Sequence, residues 1–379
     1  MLPWIFIVSV IIGMSSGSTA SNRTGRLFSL FNVVTFENGQ CQSNLASSRP
    51  DTLRVGTCLT SNECTSKIGT AAGTCAAGFG VCCVFISMGT TEVSQNCSYV
   101  QNPGFPNNYQ GLGLRYTVRK CDSSVCSIRL DFEYFWIRGT TDEATCVDLF
   151  AVLTSSQIAN SLPILCGVNT GYHMYADVGG LGENAATLNF AFASEIAGNT
   201  RQWDIKVTQI PCGSNAAPPN GCLQYLTGFM GRIRTFNYDA AAGTHLPNQR
   251  YSACIRQERN MCCIRYQVCG VTPGTQGNAL VYSLNIVIAM NALVDNNCSN
   301  DYIVIPDSSN RCQPGGGNGP LVNRYCGSVF NPRNGELAHA IVCDCTPPFR
   351  VDVVTDVSLD PSNAIRSRGF CLEYMQIPC

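Results

Sequence analysis

The sequence predicts an all-β protein in which two tandem antiparallel β-sandwiches follow a small disulfide-rich N-terminal module. Three observations lead to this prediction. The tetrapeptide Gln-Ile-Pro-Cys occurs at residues 209–212 and again at residues 376–379. The chain contains 24 cysteines, and its apolar residues alternate along short segments separated by glycine-rich turns. A repeated closing segment indicates two copies of one β unit, and short alternating strands between turns favour a sandwich.

Composition limits the possible functions. At 379 residues the chain is long enough for two or three domains. The formal net charge of -1 creates no field that would favour nucleic acid or an anionic membrane. Only 13% of residues are charged, whereas 35 are Gly and 18 are Pro, which suits turns better than helices. We therefore expect no nucleic-acid partner.

The cysteines indicate an oxidising compartment. A metal protein with this many cysteines would normally show C-x-x-C pairs or more than three histidines, so a disulfide framework is the better interpretation. Six cysteines fall in residues 41–86, six in 88–212 and twelve in 222–379. Because each count is even, every module can close its own bridges.

The N-terminus predicts secretion. Residues 1–20 contain a short apolar run followed by small residues, as in a cleaved signal peptide, and residues 21–40 form a leader. No later segment reaches about 18 unbroken apolar residues, so we expect no membrane span. Glycosylation sequons occur at Asn22, Asn96 and Asn297, the last two with Cys in the middle position.

Residues 41–86 are too few to build a large core and need covalent support. Their cysteines are Cys41, Cys58, Cys64, Cys75, Cys82 and Cys83. Each bridge would stabilise the module by roughly 2–4 kcal/mol.

The ending Gly-Phe-Gly-Val-Cys-Cys at residues 78–83, with Gly-Thr-Cys at 56–58, resembles the clip domain of arthropod immune and developmental proteases. The resemblance implies the bridges Cys41–Cys82, Cys58–Cys75 and Cys64–Cys83. The first three cysteine intervals also suit a chitin-binding peritrophin module, although the adjacent Cys82 and Cys83 argue against it. An unclassified six-cysteine knot remains a third interpretation.

Residues 88–212 contain the clearest strand of the chain, residues 127–135. Ile128, Leu130, Phe132 and Tyr134 alternate with charged residues, which predicts one buried and one solvated face. Further strands are expected at residues 188–192 and 203–207, and several short strands of this kind indicate an antiparallel sandwich.

The same segment resembles a CUB domain. The resemblance rests on Asn-Pro-Gly-Phe-Pro at residues 102–106, Arg-Tyr-Thr-Val at 115–118, Arg-Leu-Asp-Phe at 129–132, Cys146, and Cys166-Gly167. It implies an extracellular β-sandwich that recognises protein or carbohydrate, with a Cys146–Cys166 bridge. The family's cysteine before the aromatic strand is here Leu114, so Cys97, Cys121, Cys126 and Cys212 must pair in another pattern.

A linker at residues 213–221 precedes a second unit at 222–379, whose strand at 282–290 also alternates. Gly-Cys-Leu-Gln-Tyr at 221–225, Phe-Asn-Tyr-Asp at 236–239 and the segment at 251–258 resemble the second domain of a family of secreted arthropod CUB proteins. Asp-Tyr-Ile-Val-Ile-Pro at 301–306, Tyr-Cys-Gly at 325–327 and the segment at 369–374 complete the CUB-like pattern. The resemblance implies a Cys298–Cys326 bridge.

Some CUB domains bind calcium at one end of the sandwich. In the second unit the resemblance implies Asp301 and Asp356 as ligands, with Asp295 replacing the family's upstream Glu, and carboxylate oxygens suit Ca²⁺. In the first unit Asp148 and Glu195 are present, but Arg138 stands near the position of that Glu. We therefore expect no calcium site in the first unit.

No catalytic group is expected. The only G-x-S-x-G pattern, at residues 13–17, lies in the signal peptide, and His173, His245 and His339 belong to no metal or catalytic motif. The sequence therefore predicts a secreted, non-enzymatic recognition or scaffold protein that binds an extracellular protein or glycan.

Candidate contact residues are exposed aromatic and acidic residues of the loops, such as Tyr172, Tyr302 and Asp301. The alternative function, which rests on the six-cysteine module, is a cofactor or regulator of extracellular serine proteases. Because CUB domains often dimerise, an oligomer is also compatible with the resemblance.

Overall fold

The computed structural model describes residues 35–89, 92–140, 145–154, 162–179, 184–193, 200–239, 243–278, 280–284, 291–312, 321–357 and 367–379. The chain divides into two compact units. Of the described residues, one unit contains those up to Leu45 together with Leu53–Val84, and the other contains Ala46–Thr52 and those of Phe85–Cys379. The predicted signal peptide, Asn22, most of the leader and most of the predicted strand at 282–290 lie outside the described residues.

The six-cysteine module is a small antiparallel sheet with one short helix. Its elements are β1 (Gln40–Ala46), β2 (Leu53–Leu59), α1 (Ser61–Ser66), β3 (Thr70–Cys75), a 3-10 turn (Ala76–Gly78) and β4 (Gly80–Met88). Strands β2 and β3 both pair with β4. The module is closed by Cys41–Cys82, Cys58–Cys75 and Cys64–Cys83, the pairs that the clip resemblance implies.

Two local features explain residues of the module's sequence. Thr60 caps α1, because its hydroxyl accepts from the Glu63 N–H while the Glu63 carboxylate accepts from the Thr60 N–H. Gly80 lies against the Cys58–Cys75 bridge, and a Cβ there would come within 2.8 Å of the Cys75 sulfur. Only glycine fits this position without displacing the bridge.

The first sandwich packs two sheets around an aromatic core. Its strands are β5 (Glu92–Val93), β6 (Ser98–Gln101), β7 (Gly113–Arg119), β8 (Val125–Trp136), β9 (Leu149–Thr154), β10 (His173–Asp177), β11 (Asn184–Ala191) and β12 (Gln202–Pro211). One sheet has the order β6-β12-β8-β10 and the other β5-β7-β11-β9. Trp203 stacks on Phe190 with ring centroids 4.1 Å apart, and both side chains are buried. The predicted sandwich is confirmed.

Strand β8 departs from the predicted alternation at its end. Ile128, Leu130 and Phe132 are buried as expected, but Phe135 is buried in place of Tyr134. The register with β12 shifts by one residue after Phe132, so a β-bulge reverses the two faces. The prediction for Tyr134 was wrong, because bulges depend on the partner strand.

The second sandwich repeats this architecture with more strands. They are β13 (Cys222–Leu226), β14 (Met230–Arg234), β15 (Arg250–Ile255), β16 (Met261–Val268), β17 (Tyr282–Ser283), β18 (Ala292–Val294), β19 (Tyr302–Ser308), β20 (Val322–Gly327), β21 (Val342–Asp344), β22 (Arg350–Val354) and β23 (Gly369–Pro378). One sheet has the order β13-β15-β22-β19-β20-β18, and the other β14-β23-β16-β21, with β17 on β23. Residues 295–297 form a 3-10 turn.

The repeated tetrapeptide occupies equivalent places in the two sandwiches. It ends β12 in the first and β23 in the second, and each of these strands pairs antiparallel with β8 or β16. The final cysteine bridges to the start of that neighbour, as Cys126–Cys212 and Cys262–Cys379. The repeat is therefore the closing strand of each sandwich, fastened to the strand beside it.

The glutamine of the second copy is a buried clamp. The Gln376 side chain accepts from the Glu258 N–H at 2.9 Å and donates to the carbonyl oxygens of Gly228, at 3.0 Å, and Arg256, at 2.8 Å. Its side-chain amide therefore satisfies three main-chain groups of two loops, which would cost free energy if they were buried without partners.

The first copy works in the same way. Gln209 is buried, accepts from the Cys121 N–H and donates to the Arg119 carbonyl. Its own N–H donates to Oδ1 of Asn96, so this predicted glycosylation residue is part of the clamp. Asn297 is exposed, with Nδ2 donating to the Val294 carbonyl. Glycosylation at either site stays a prediction.

The remaining disulfides lie within single sandwiches. They are Cys146–Cys166 in the first sandwich and Cys222–Cys254, Cys263–Cys345, Cys269–Cys371, Cys298–Cys326 and Cys312–Cys343 in the second. The two bridges implied by the CUB resemblance are among them. Cys97 is buried, and burial raises the pKa of its thiol. Among the described residues no bridge joins one module to another.

The clamp predicts a large effect from a nearly isosteric change. Gln376→Met should lower the free energy of unfolding by about 2–4 kcal/mol, because three main-chain groups lose their partner. Chemical unfolding followed by circular dichroism would measure it. The control Gln267→Met, on the half-exposed face of β16, should cost under about 0.5 kcal/mol. Equal effects of the two changes would contradict the clamp.

Candidate recognition site

The predicted calcium ligands are only partly brought together. The Asp356 N–H donates to Oδ1 of Asp301 at 3.0 Å, so these two residues are neighbours. Oδ2 of Asp301 lies 3.6 Å from Nε2 of the buried His245. Burial raises the pKa of the Asp301 carboxyl, while the nearby His245 opposes that change. The end of the sandwich thus pairs this carboxylate with a histidine.

Asp295 belongs to a different local structure. Its Oδ1 accepts from the N–H groups of Asn323 and Arg324 at the start of β20. Within the described parts of the chain, no three His, Cys, Asp or Glu side chains come together as a possible metal site. The residues therefore do not fit the three-ligand set expected from the sequence, because Asp295 is engaged with β20 instead.

The corresponding end of the first sandwich carries an internal cation. Arg201 donates Nε and Nη2 to the two oxygens of Asp148, at 2.9 Å each, and both side chains are almost fully buried. Asp148 also accepts from the Arg138 N–H, and the Arg201 guanidinium lies 4.7 Å from the centroid of the Phe192 ring. The carboxylate is thus neutralised by arginine. Glu195 lies outside the described residues.

This buried pair predicts a sharp asymmetry between single and double substitutions. Arg201→Met should destabilise the first sandwich by about 3–5 kcal/mol, because Asp148 is left as an uncompensated buried charge. Adding Asp148→Leu should restore part of that loss. Arg232→Met, which removes the exposed ion pair with Glu373, should cost under about 1 kcal/mol. Thermal unfolding of the wild type and the three variants tests this. A double variant less stable than Arg201→Met would contradict it.

The two sandwiches meet in an interface, here called the seam. Tyr172 is 4% exposed, so its assignment as an exposed contact residue was wrong. Its ring stacks on Phe236 with centroids 5.6 Å apart, and its hydroxyl donates to the Thr235 carbonyl. The Arg234 guanidinium lies over the same ring, 4.4 Å from its centroid. A contact loop of the first sandwich is therefore covered by the second.

Reciprocal hydrogen bonds fix the seam. The Asn237 N–H donates to Oδ1 of Asn169, and Oδ1 of Asn237 accepts from the Val168 N–H. Gly167 makes this approach possible, because a Cβ there would lie 2.0 Å from Oδ1 of Asn237. The Cys-Gly pair that supported the CUB resemblance thus also permits contact between the sandwiches.

A histidine joins the edges of β10 and β13. Nε2 of His173 accepts from the Tyr225 N–H at 3.2 Å, so the ring is neutral in this contact. Burial and, to a lesser extent, the Arg129 charge lower the pKa of His173 to about 4. The contact therefore persists through the neutral pH range. The sequence offered no signal for this role, since the partner strand lies about 50 residues away.

The other two candidate contact residues differ in accessibility. Asp301 is 6% exposed, which is too little for a loop contact, and its designation as exposed was wrong. Tyr302 is half-buried, with the Arg324 guanidinium 4.7 Å from its ring centroid. His339 is buried and its Nδ1 accepts from the Phe330 N–H, which is a structural role.

One buried carboxyl in the second sandwich has an unusual environment. Asp344 is 0% exposed, and its Oδ1 accepts from the Thr346 N–H. Among the described residues, Oδ2 of Asp344 and the buried hydroxyl of Tyr266 have no hydrogen-bond partner. Burial, with a smaller contribution from Asp307, raises the pKa of Asp344 to about 7. The group therefore holds a proton in mildly acidic solution.

Asp344 predicts a stability that falls as the pH rises. Between its ordinary pKa of 3.8 and the folded value of about 7, the folded chain holds a proton that the unfolded chain has released. The contribution of this bound proton to the free energy of unfolding is thus fully present below pH 3.8 and is lost as the pH rises through about 7. Asp344→Asn should remove this slope and raise the melting temperature at pH 8. Melting curves from pH 5 to 8 measure it, with Asp51→Asn as an exposed control; an unchanged slope would contradict the prediction.

Two surface cavities lie on the second sandwich. One, of about 290 Å³, is lined by Met230, Gly231, Arg232, Arg265, Gln267, Glu373, Tyr374 and Met375. The other, of about 610 Å³, lies beside β13 and β15. Among the described residues no helix is long and apolar enough to cross a membrane.

Several solved structures are similar to this chain. They include the CUB1-EGF-CUB2 domains of rat MASP-1, at 14% identity, TM-score 0.26, and 75% of this chain and 99% of that chain covered. The full extracellular region of zebrafish Gpr126/Adgrg6 has 9% identity and a TM-score of 0.26, with 77% of this chain and 34% of that chain covered. No curated protein matched the chain.

The fold defines β-sandwich modules that are held together by disulfides. Residues 219–377 match the family model described as the animal CUB domain. The chain therefore contains a CUB domain, a class that mediates protein or glycan binding in extracellular proteins. This confirms the CUB resemblance for the second sandwich.

Proposed function

We propose that this chain is a secreted, non-enzymatic recognition or scaffold protein whose sandwiches bind an extracellular protein or glycan. The observation that carries the proposal is the CUB domain match over residues 219–377. The many disulfides fit an oxidising compartment. In this proposal the chain binds its partner through preformed surfaces and catalyses no reaction.

The seam supports a scaffold role. Its stacked Tyr172 and Phe236 and its paired Asn169 and Asn237 hold the two sandwiches in one arrangement. A partner that contacts both would not need to order them first, and preorganisation of this kind favours affinity.

A second candidate is a regulator of extracellular serine proteases that acts through the six-cysteine module. The specific observation in its favour is the set of bridges Cys41–Cys82, Cys58–Cys75 and Cys64–Cys83. These are the pairs that resemblance to a clip domain implies.

One capture experiment tests both candidates. Immobilised full-length protein should recover a saturable partner from extracellular fluid, and the reduced and alkylated protein should lose it, because recognition needs the folded sandwiches. A Cys64→Ser, Cys83→Ser variant that loses a protease but keeps other partners would favour the second candidate. A chelator arm tests the calcium prediction at Asp301 and Asp356.

Two results would contradict the main proposal. One is the absence of any saturable partner for the native protein. The other is enzymatic turnover that co-purifies with the native chain and is lost on reduction.

A further inference from the structure

The larger cavity of the second sandwich has the dimensions of a binding site. Its volume of about 610 Å³ falls in the range of roughly 300–1,000 Å³ that is typical of ligand pockets. It is formed by the outward faces of β13, β15 and β22. Its lining includes Cys222, Tyr225, Cys254, Arg256, Pro348 and Arg350.

The walls of this cavity are rigid. The Cys222–Cys254 bridge joins β13 to β15 within the lining. The Ile255 N–H donates to the Phe349 carbonyl, and the Cys222 N–H donates to the Pro219 carbonyl. Because covalent and main-chain bonds hold these segments, the cavity exists before any partner binds.

Its charge is one-sided. Arg256 and Arg350 belong to the lining, which includes no Asp or Glu among the described residues. Their side chains are 45% and 47% exposed. The lining therefore offers guanidinium donors, which are complementary to carboxylates, while the acids that pair with these arginines lie outside the lining.

Neighbouring acids orient the two guanidiniums. Oε1 of Glu258 accepts from Nε and Nη2 of Arg256 and also from the Gly228 N–H, which leaves Nη1 of Arg256 for another partner. Nη2 of Arg350 lies 3.3 Å from Oδ2 of Asp352. Each arginine therefore has a fixed position and unused donors.

The strand register sets the separation of the arginines. Arg350 pairs with Cys254 across β15 and β22, and Arg256 follows Cys254 by two residues. The Arg256 N–H donates to the Leu226 carbonyl, so the extended path continues past the end of β15. At about 3.4 Å per residue the two arginines are about 7 Å apart along the strand direction.

We propose that this cavity binds an extended acidic segment of a partner protein, with carboxylates on residues i and i+2 meeting Arg350 and Arg256. Alternate side chains of an extended peptide point the same way and are about 7 Å apart, which matches the arginines. The ring of Tyr225 and Pro348 contact the aliphatic parts of the segment. This inference rests on the proposed function and specifies its ligand.

Fluorescence anisotropy of the full-length protein tests the proposal. The probe is a labelled peptide Ala-Val-Glu-Val-Glu-Val-Ala, compared with the same peptide carrying Gln in place of both Glu. The Glu peptide should bind at least tenfold more tightly, since hydrogen bonds between guanidinium and carboxylate groups are stronger than those to a neutral amide. Its affinity should fall as salt rises.

Variants locate the site. Arg256→Gln with Arg350→Gln should weaken binding of the Glu peptide at least tenfold, and Arg350→Gln alone should weaken it less. Arg265→Gln, in the smaller cavity, should leave it unchanged. Melting curves show whether each variant is folded, and the single variant provides the test if the double variant is not.

Several outcomes would overturn the proposal. One is equal binding of the Glu and Gln peptides, and another is peptide binding that the arginine changes do not affect. A third is that the protein binds a sulfated oligosaccharide but not the peptide, and that the double variant loses this oligosaccharide binding. A natural partner still captured by the double variant would overturn this site and leave the proposed function standing.

Discussion

Each sandwich depends on the pairing of its last strand with the long strand beside it. Strands β12 and β23 run between two neighbours in their sheets, and a disulfide from the terminal cysteine fastens each of them to β8 or β16. The buried Gln376 then satisfies main-chain groups from segments far away in the sequence. Because a buried main-chain group without a partner is costly, this amide holds loops that the sheets alone would leave unpaired.

The buried acids of the two sandwiches have different partners. In the first, Arg201 neutralises Asp148 with two hydrogen bonds, so the carboxylate needs no external cation. In the second, Asp301 faces His245, and burial raises the pKa of the Asp301 carboxyl. This end of the fold thus carries an arginine–carboxylate pair in one copy and a histidine–carboxyl pair in the other.

The seam changes what a pair of sandwiches can present to a partner. It buries Tyr172 and uses Gly167 for close approach, so loops of the first sandwich are occupied by the second. Open surface of the second sandwich includes the outer face beside β13 and β15, where Arg256 and Arg350 stand on rigid strands. The proposed recognition uses positioned side chains of a sheet rather than loops that fold around a ligand.

The sequence by itself determined the all-β class, the repeat and the alternation of Ile128, Leu130 and Phe132, because strand periodicity and turn residues are local. The resemblances added disulfide pairs such as Cys146–Cys166, which the structure contains. Only the tertiary structure decided that Phe135 turns inward at a bulge, that Asp295 accepts hydrogen bonds from the start of β20, and that Tyr172 is covered. Each of these depends on a partner strand or loop distant in the chain, and no local pattern of residues encodes that partner.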